Sequence, residues 1–197
     1  MRNKLGTICM ILGTVLILAA LSLFLWNRRE AEQAGEAAAS ILPQVVEQIA
    51  ETAAEDPAPP DPFDPTMTEV EIDGYLYIGY LSIPALGLEL PVMSEWDYTR
   101  LNIAPCRYSG STKSDDLVIA AHNFAQHFGG LSGLSGGEQV IFVDMDNVVS
   151  TYTVVSVEIL PPTAVEEMTN GEYDLSLYTC TYGGQSRVTV RCDRTEG

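Results

Sequence analysis

Residues 175–192 read LSLYTCTYGGQSRVTVRC, and this stretch decides the fold. Its two ends, 175–180 and 187–192, are rich in β-branched, aromatic and leucine residues, which predicts two strands. A six-residue turn with two glycines, 181–186, separates them. If the strands pair as a hairpin, Cys180 and Arg187 lie near the same end of it.

Five more β-rich runs precede this hairpin, separated by turn residues such as glycine, proline, asparagine and aspartate. Only short helical pieces fit between the runs, near 96–102 and 163–168. Many short strands with irregular links predict a mainly β domain that closes, or nearly closes, into a barrel. The five runs are 77–83, 88–93, 117–121, 139–143 and 151–159.

A second reactive point is LVIAAHN at 117–123, an apolar strand that ends in His122. A thiol, an imidazole and a guanidinium can then converge at one mouth of the barrel. The three groups suit acyl transfer, because a nearby cation favours the nucleophilic thiolate, the imidazole moves protons, and arginine can hold an oxyanion. Taken singly, each also has an ordinary explanation: a packed cysteine, a strand-end histidine, a surface arginine.

The other cysteines are Cys9, Cys106 and Cys192. No CxxC pair occurs among the four cysteines, so no structural zinc site is predicted. A Cys106–Cys192 disulfide is one alternative that the sequence leaves open. Calcium is conceivable among so many carboxylates, but no EF-hand-like ligand spacing supports it, and we expect no cofactor.

The amino-terminal third is not globular. Residues 1–4 are predicted to be cytoplasmic, and 5–27 to form a transmembrane signal anchor, since 22 uncharged residues from Leu5 to Trp26 suffice to cross a bilayer. Residues 28–56 read as a helical juxtamembrane stalk, 57–73 as a Pro/Asp-rich linker, and 74–197 as the catalytic domain. The flanking charges are nearly balanced and only favour an amino terminus inside the cell.

The stalk carries an apolar stripe at helical spacing, formed by Ile41, Leu42, Val45, Val46 and Ile49. We expect Pro43 to start a second helix rather than lie inside one. The favoured interpretation is a spacer between membrane and domain, and the alternatives are self-association or packing on the domain.

Net charge excludes one class of partner. The chain has a formal net charge of −17 at pH 7, and from Glu30 onward it contains six basic and 27 acidic residues. Such a surface repels phosphate backbones, so nucleic acid is not an expected partner. The charge serves solubility or, alternatively, attracts cationic substrates.

The motifs resemble those of the sortases, cysteine transpeptidases of Gram-positive cell surfaces. Leu177-Tyr178-Thr179-Cys180 keeps the Leu-x-Thr-Cys part of the family's Thr-Leu-x-Thr-Cys pattern, and Ser176 replaces the first threonine. Arg187 follows at the start of a β-rich stretch, and His122 follows a small-residue strand end. Pro105 to Ser111 resembles the loop that precedes the family's histidine strand.

The resemblance implies an eight-stranded sortase-like β-barrel outside the cell membrane, with the amino terminus inside. Cys180 would attack a Leu-Pro-x-Thr-Gly-like C-terminal sorting signal of a surface protein and form a thioester. An amine from a peptidoglycan precursor or a pilin lysine would then resolve it. His122 and Arg187 would assist, although Arg191 shares the strand face of Arg187 and is a rival for its role.

Two softer expectations concern the substrate. By analogy with the family, residues 160–174 would shape the groove, with Ala120 and Thr179 lining it. Asp61-Pro62-Phe63 matches the Asp-Pro-aromatic lid motif of pilus-building sortases, so Asp61 and Phe63 form a candidate lid, against the alternative of a plain linker. Two rival functions stay open: a non-enzymatic membrane-tethered β-domain that binds a partner, and a cysteine hydrolase.

Overall fold

The structure, a computed structural model, describes residues 2–54 and 64–195. One long helix precedes nine strands, and one short helix lies between β7 and β8. The elements are α1 (Arg2–Ala54), β1 (Val70–Ile72), β2 (Tyr75–Ile83), β3 (Leu88–Met93), β4 (Cys106–Ser109), β5 (Leu117–Ala120), β6 (Gln139–Asp144), β7 (Val149–Leu160), α2 (Val165–Thr169), β8 (Leu175–Cys180) and β9 (Arg187–Arg194).

Eight strands close a mixed β-barrel, which confirms the predicted fold. The strand order is β1-β2-β3-β4-β5-β8-β9-β7-β6, and a β2–β6 pairing joins the two ends. β1 lies outside the closed ring and pairs only with the beginning of β2. The pairs β3–β4 and β5–β8 are parallel, and the other pairs are antiparallel.

The seven predicted strands are all present, and β3 and β8 have the predicted bounds. The sequence predicted neither β1, which falls in the predicted linker 57–73, nor β4, whose four residues lie between Pro105 and Gly110 and read as a loop. It also missed a 3₁₀ turn at Phe128–Gly133, whose sequence FGGLSG contains three glycines.

The stalk is part of one uninterrupted helix, and the expectation of a new helix at Pro43 is wrong. Pro43 lies inside α1 on its exposed side. Proline removes one helical hydrogen bond there, at a cost of about 3 kcal/mol in a helix interior. The freed carbonyl belongs to exposed Ala39, which water can reach, and the packing of the opposite face maintains the helix.

The stalk packs on the barrel, so the favoured spacer interpretation is also wrong. One face of α1 is buried, through Ala34, Ala38, Ile41, Val45 and Ile49. These residues recur every three or four positions, as one helix face requires. Val46 of the predicted stripe is exposed instead.

The folded domain begins before the predicted boundary at residue 74. Met67 is buried in the core, and Arg107 Nη2 donates to Glu69 Oε1 over 2.9 Å. The candidate lid residues Asp61 and Phe63 lie outside the described residues, so that prediction stays a prediction.

By length and composition, one described helix can cross a membrane. Its most apolar window lies near the amino terminus of α1, has a mean hydropathy of 2.7 and is not covered by the rest of the protein. This long apolar helix is compatible with the predicted anchor.

Candidate active site

The hairpin of β8 and β9 sets the positions of the predicted nucleophile and cation. Cys180 and Arg187 are direct partners in the antiparallel register. Directly opposed residues point to the same face of a sheet, with Cβ atoms about 5 Å apart. The turn between them needs positive φ at Gly183 and Gly184, with values of 85° and 71°. The sequence thus brings thiol and guanidinium to one end of the hairpin.

Parallel pairing of β5 with β8 brings His122 to the same end. Ala120 is the partner of Tyr178, and the Ala121 N–H donates to the Tyr178 carbonyl over 3.2 Å. Continuing that register by two residues places His122 level with Cys180. The hydroxyl of Thr179 also donates to the Ala121 carbonyl over 2.8 Å, which fixes the two strand ends together.

His122, Cys180 and Arg187 all line one cavity of about 230 Å³. One wall is aromatic, and its rings contact each other: Trp96 lies 5.4 Å from Tyr108, which lies 5.4 Å from Tyr178. The opposite wall comes from the segment around α2. The other lining residues are Tyr98, Leu101, Ala120, Ala121, Pro161, Pro162, Ala164, Val165 and Met168.

The two residues proposed to line the groove differ in position. Ala120 lines the cavity, whereas Thr179 is not among the lining residues that the structure describes. Thr179 alternates with Tyr178 and Cys180 along β8, so it points to the other face and is 3% exposed. Its hydroxyl links the end of β8 to the end of β5. Residues of the stretch 160–174 line the cavity, and their role in shaping a substrate groove stays a prediction.

Sequence reasoning missed the aromatic wall. Trp96 and Tyr98 precede β4, a strand that was not predicted, and Tyr108 lies within it. A tryptophan and a tyrosine directly after β3, in a chain with only two tryptophans, were the available signal.

The two rival arginines have different surroundings. Arg187 Nη1 donates to the carbonyls of Gly184 and Ser186, each over 3.1 Å, so the turn holds the guanidinium at the cavity. Arg191 is the partner of Ser176, four residues and about 13 Å along β8 from Cys180. It does not line the cavity described here.

Arg191 instead holds the α2 wall. It is 3% exposed and forms an ion pair with Glu158 over 2.6 Å. Its guanidinium also donates to the Glu167 carbonyl over 2.6 Å and to Ser176 Oγ over 2.8 Å. The Met168 carbonyl lies 3.4 Å from Nη1. These bonds tie the last turn of α2 to β9.

Replacing Arg191 by methionine is expected to lower the free energy of unfolding by about 2–3 kcal/mol, because buried carbonyls lose a charged donor. The KM for substrate should rise, since Met168 and Val165 line the cavity. Urea denaturation and hydrogen exchange at Val165–Thr169 measure both effects. Arg100→Met is the control, because Arg100 pairs only with exposed carboxylates and should cost less than about 1 kcal/mol. Equal losses in the two variants would contradict the assignment.

Burial distinguishes the four thiols. Burial raises the pKa of Cys106 and of Cys192 to about 12, so both stay protonated at neutral pH. They are free and lie in separate apolar clusters, which excludes the disulfide that the sequence left open. Cys9 is exposed on the apolar part of α1, and Cys180 is half-buried at the cavity.

The electrostatics of His122 involve the stalk. Burial lowers the pKa of His122 below its ordinary value of 6.5, and Glu30 of α1 partly opposes that shift. The imidazole ring lies 4.9 Å from the ring of Phe124. A neutral imidazole therefore predominates at neutral pH and can accept a proton.

His127 is fully buried, and neither of its ring nitrogens has a hydrogen-bond partner among the described residues. The Ala34 backbone lies beside the ring without forming a hydrogen bond of good geometry. Burial lowers the pKa of His127 to about 4, partly offset by the Ala34 backbone. Between pH 6.5 and 4 the unfolded chain therefore binds a proton there that the folded chain does not.

Stability is accordingly expected to fall as the pH drops from 6.5 to about 4, by up to about 3 kcal/mol from this group. His127→Leu should remove that loss, because leucine does not titrate and leaves no unsatisfied nitrogen. Urea denaturation at several pH values gives the free energy of unfolding of wild type and of His127→Leu. In the difference between the two values, the contributions of other titrating groups cancel. Parallel stability curves would contradict the prediction.

Across residues 2–54 and 64–195, no three His, Cys, Asp or Glu side chains are grouped to hold a metal ion. These residues therefore offer no cluster of ligands for calcium. The expectation that the protein needs no cofactor stays a prediction.

The arrangement has the parts that acyl transfer needs. A half-buried thiol lies opposite a permanent cation, and an imidazole of lowered pKa lies at the same mouth. The cavity walls are mostly apolar and aromatic and can contact an apolar side chain beside the thiol.

Comparison with known proteins agrees with this fold. A family model described as "Sortase domain" matches residues 81–195, more than half of the chain. Sortase C1 from Streptococcus suis is similar at 26% identity, with a TM-score of 0.53, covering 61% of this chain and 74% of that one. No curated protein matches.

Two further solved structures share the fold. Sortase C of Streptococcus pneumoniae is 21% identical over 80% of this chain and 90% of its own, with a TM-score of 0.56. The Clostridium perfringens sortase D5 transpeptidase is 13% identical over 82% of this chain and 99% of its own, with a TM-score of 0.62. Fold and family model agree, and the chain belongs to the sortase family of transpeptidases.

Proposed function

We propose that this sortase is a cysteine transpeptidase in which Cys180 is the nucleophile, His122 the acid–base group and Arg187 the oxyanion donor. The observation that carries the proposal is that these three side chains line one cavity, with Cys180 and Arg187 paired in register. Arg191, the rival for the cation role, is buried elsewhere, and so are the thiols of Cys106 and Cys192.

In the first step His122 accepts the proton of the Cys180 thiol and becomes the imidazolium, and the resulting Cys180 thiolate attacks the carbonyl carbon of the scissile peptide bond. The C–S bond forms, and the carbonyl electrons move to oxygen, where the Arg187 guanidinium stabilises the negative charge. When the carbonyl re-forms, the C–N bond breaks and the His122 imidazolium donates a proton to the departing amine. The product is a thioester on Cys180 and a free amine.

In the second step an amine attacks the thioester. His122, now neutral, accepts a proton from the attacking amine as the new C–N bond forms. The C–S bond breaks, and Cys180 leaves as the thiolate. Water in place of the amine would give hydrolysis through the same acyl-enzyme.

We infer a Leu-Pro-x-Thr-Gly-like sorting signal on a surface protein as the substrate. The α2 wall supports this choice, because Ala164, Val165 and Met168 offer an apolar surface to a leucine or proline side chain. The acceptor would be an amine of a peptidoglycan precursor or a pilin lysine. The catalytic domain would lie outside the cell, on the single-pass helix α1.

The test is a panel of quenched Leu-Pro-x-Thr-Gly-like peptides, incubated with full-length protein in detergent micelles, with and without an added amine. Protein alkylated at Cys180 by iodoacetamide provides the blank. Cleavage by untreated protein, with a peptide–amine adduct in the mass spectrum, is the expected result. Cleavage without adduct for every amine would identify a hydrolase. No cleavage together with an unreactive Cys180 would favour a partner-binding domain.

A further inference from the structure

The loop after His122 is compact and returns to its starting point. Phe128 N–H donates to the His122 carbonyl over 3.1 Å, and Gly129 N–H donates to the Phe124 carbonyl over 2.9 Å. Three rings follow one another along this loop: His122 lies 4.9 Å from Phe124, which lies 5.9 Å from His127. A displacement of the far side of the loop is therefore transmitted to the His122 backbone.

That far side rests on α1. A β-carbon added at Gly35 would lie 2.7 Å from both Cβ and Cγ of Gln126, so only glycine permits this approach. Ala34, beside it, is 1% exposed, and its backbone faces the fully buried His127. One turn further, Ala38 is 1% exposed and belongs to the same core cluster as Phe128. The loop 122–129 is thus seated on a short segment of the stalk.

Glu30 lies one helical turn before Ala34 and shares its face, because residues four apart overlie each other on a helix. Among the charged groups of α1, Glu30 acts on the His122 imidazole. From the other elements, Cys180 and Arg187 face His122 across the cavity, and His127 lies on the same loop. Of these groups around His122, Glu30 is the one that carries a carboxylate.

We propose that residues 30–38 of α1 position His122: Gly35 seats the loop that carries the histidine, and Glu30 supplies a negative charge from the same helix face. The anchor helix is then a component of the active site, and both residues are positioning residues. The inference rests on the function proposed for His122, but its structural part can be measured without any substrate.

The first measurement is the titration of His122 by NMR in full-length protein carrying ¹³C-labelled histidine, with the signal assigned by its loss in His122→Ala. Glu30→Gln is expected to lower the midpoint of His122, because a negative charge that favours the imidazolium is removed. Glu36→Gln, an exposed acid of the same helix, is the matched control and should leave the midpoint unchanged. Equal midpoints in Glu30→Gln and wild type would overturn the role of Glu30.

The second measurement uses Gly35→Leu, which favours the helix but displaces Gln126. Hydrogen exchange in residues 122–129 should become faster, and kcat should fall by up to about a hundredfold with little change in KM. Ala39→Leu, at an exposed position one turn further on, is the control. Unchanged exchange and kcat would overturn the seating role. If wild type cleaves no peptide, the proposed function fails, while titration and exchange still decide whether α1 positions His122.

Discussion

Cys180→Ala protein is expected to form no thioester and to lose transpeptidation by on the order of 10⁴-fold or more. The reason is positional: Cys180 is the thiol at the cavity, opposite Arg187. Removing its sulfur leaves the peptide bound but without a nucleophile. The measurements are peptide turnover and the mass of the acyl-enzyme trapped by acid quenching.

The matched controls are Cys106→Ala and Cys192→Ala. Burial raises the pKa of each of these thiols to about 12, so neither supplies a thiolate at neutral pH. Each variant should lose some thermal stability, since a buried side chain is truncated, and should keep its kcat. An acyl adduct that persists in Cys180→Ala, or that disappears in one of the controls, would assign the nucleophile elsewhere.

Arg187→Ala is expected to lower kcat by about 10²–10³-fold, the usual loss on removing one oxyanion donor. Arg187→Lys should recover only part of the rate. A lysine keeps the charge but cannot reproduce a planar guanidinium held by the Gly184 and Ser186 carbonyls. Steady-state kinetics and the rate of acyl-enzyme formation in single turnovers measure the effect.

The comparison with Arg191 makes this prediction specific. Arg191→Met should raise KM and weaken folding, because Arg191 holds the α2 wall and lies away from the reacting atoms. A strong loss of kcat in Arg191→Met, with near-normal kcat in Arg187→Ala, would reverse the two roles.

The β-barrel could be predicted from the sequence because most of its strands have a clear local sequence signal. Runs such as 88–93 and 175–180 combine β-forming residues with clear turn residues at their ends. β4 lacked that signal: its four residues are held by partners far along the chain, Met93 and Ala120. Its existence depends on barrel closure, which a local pattern does not contain.

The candidate site was predictable to the same extent. The spacing of Cys180 and Arg187 across one turn fixes their pairing once a hairpin forms, and the sequence allowed that inference. The family pattern favoured Arg187 over Arg191, but strand periodicity could not separate the two residues, which occupy the same strand face. The two residues differ because Arg191 contacts Glu158 and the α2 carbonyls. These are tertiary contacts, which a local sequence pattern does not contain.

The behaviour of α1 was not predictable for a related reason. An Ala- and Glu-rich helix with an apolar stripe is compatible with a spacer, the interpretation that the sequence favoured, and also with a dimer contact or a docked helix. The partner surface, which includes Gln126 and His127, is assembled only by folding. Packing also overrode the local preference of Pro43 for a helix start.

The unbroken helix has a geometric consequence for the whole protein. Trp26 ends the apolar run, and Ala34 is the first residue of α1 that the barrel buries. Eight helical residues span about 12 Å and a little over two turns. Because no hinge separates them, an anchor formed by the apolar run would fix both the height of the barrel over the bilayer and the direction in which the cavity around Cys180 opens. Each residue inserted between Trp26 and Ala34 would move the cavity by about 1.5 Å along the helix axis and rotate it by about 100° around that axis.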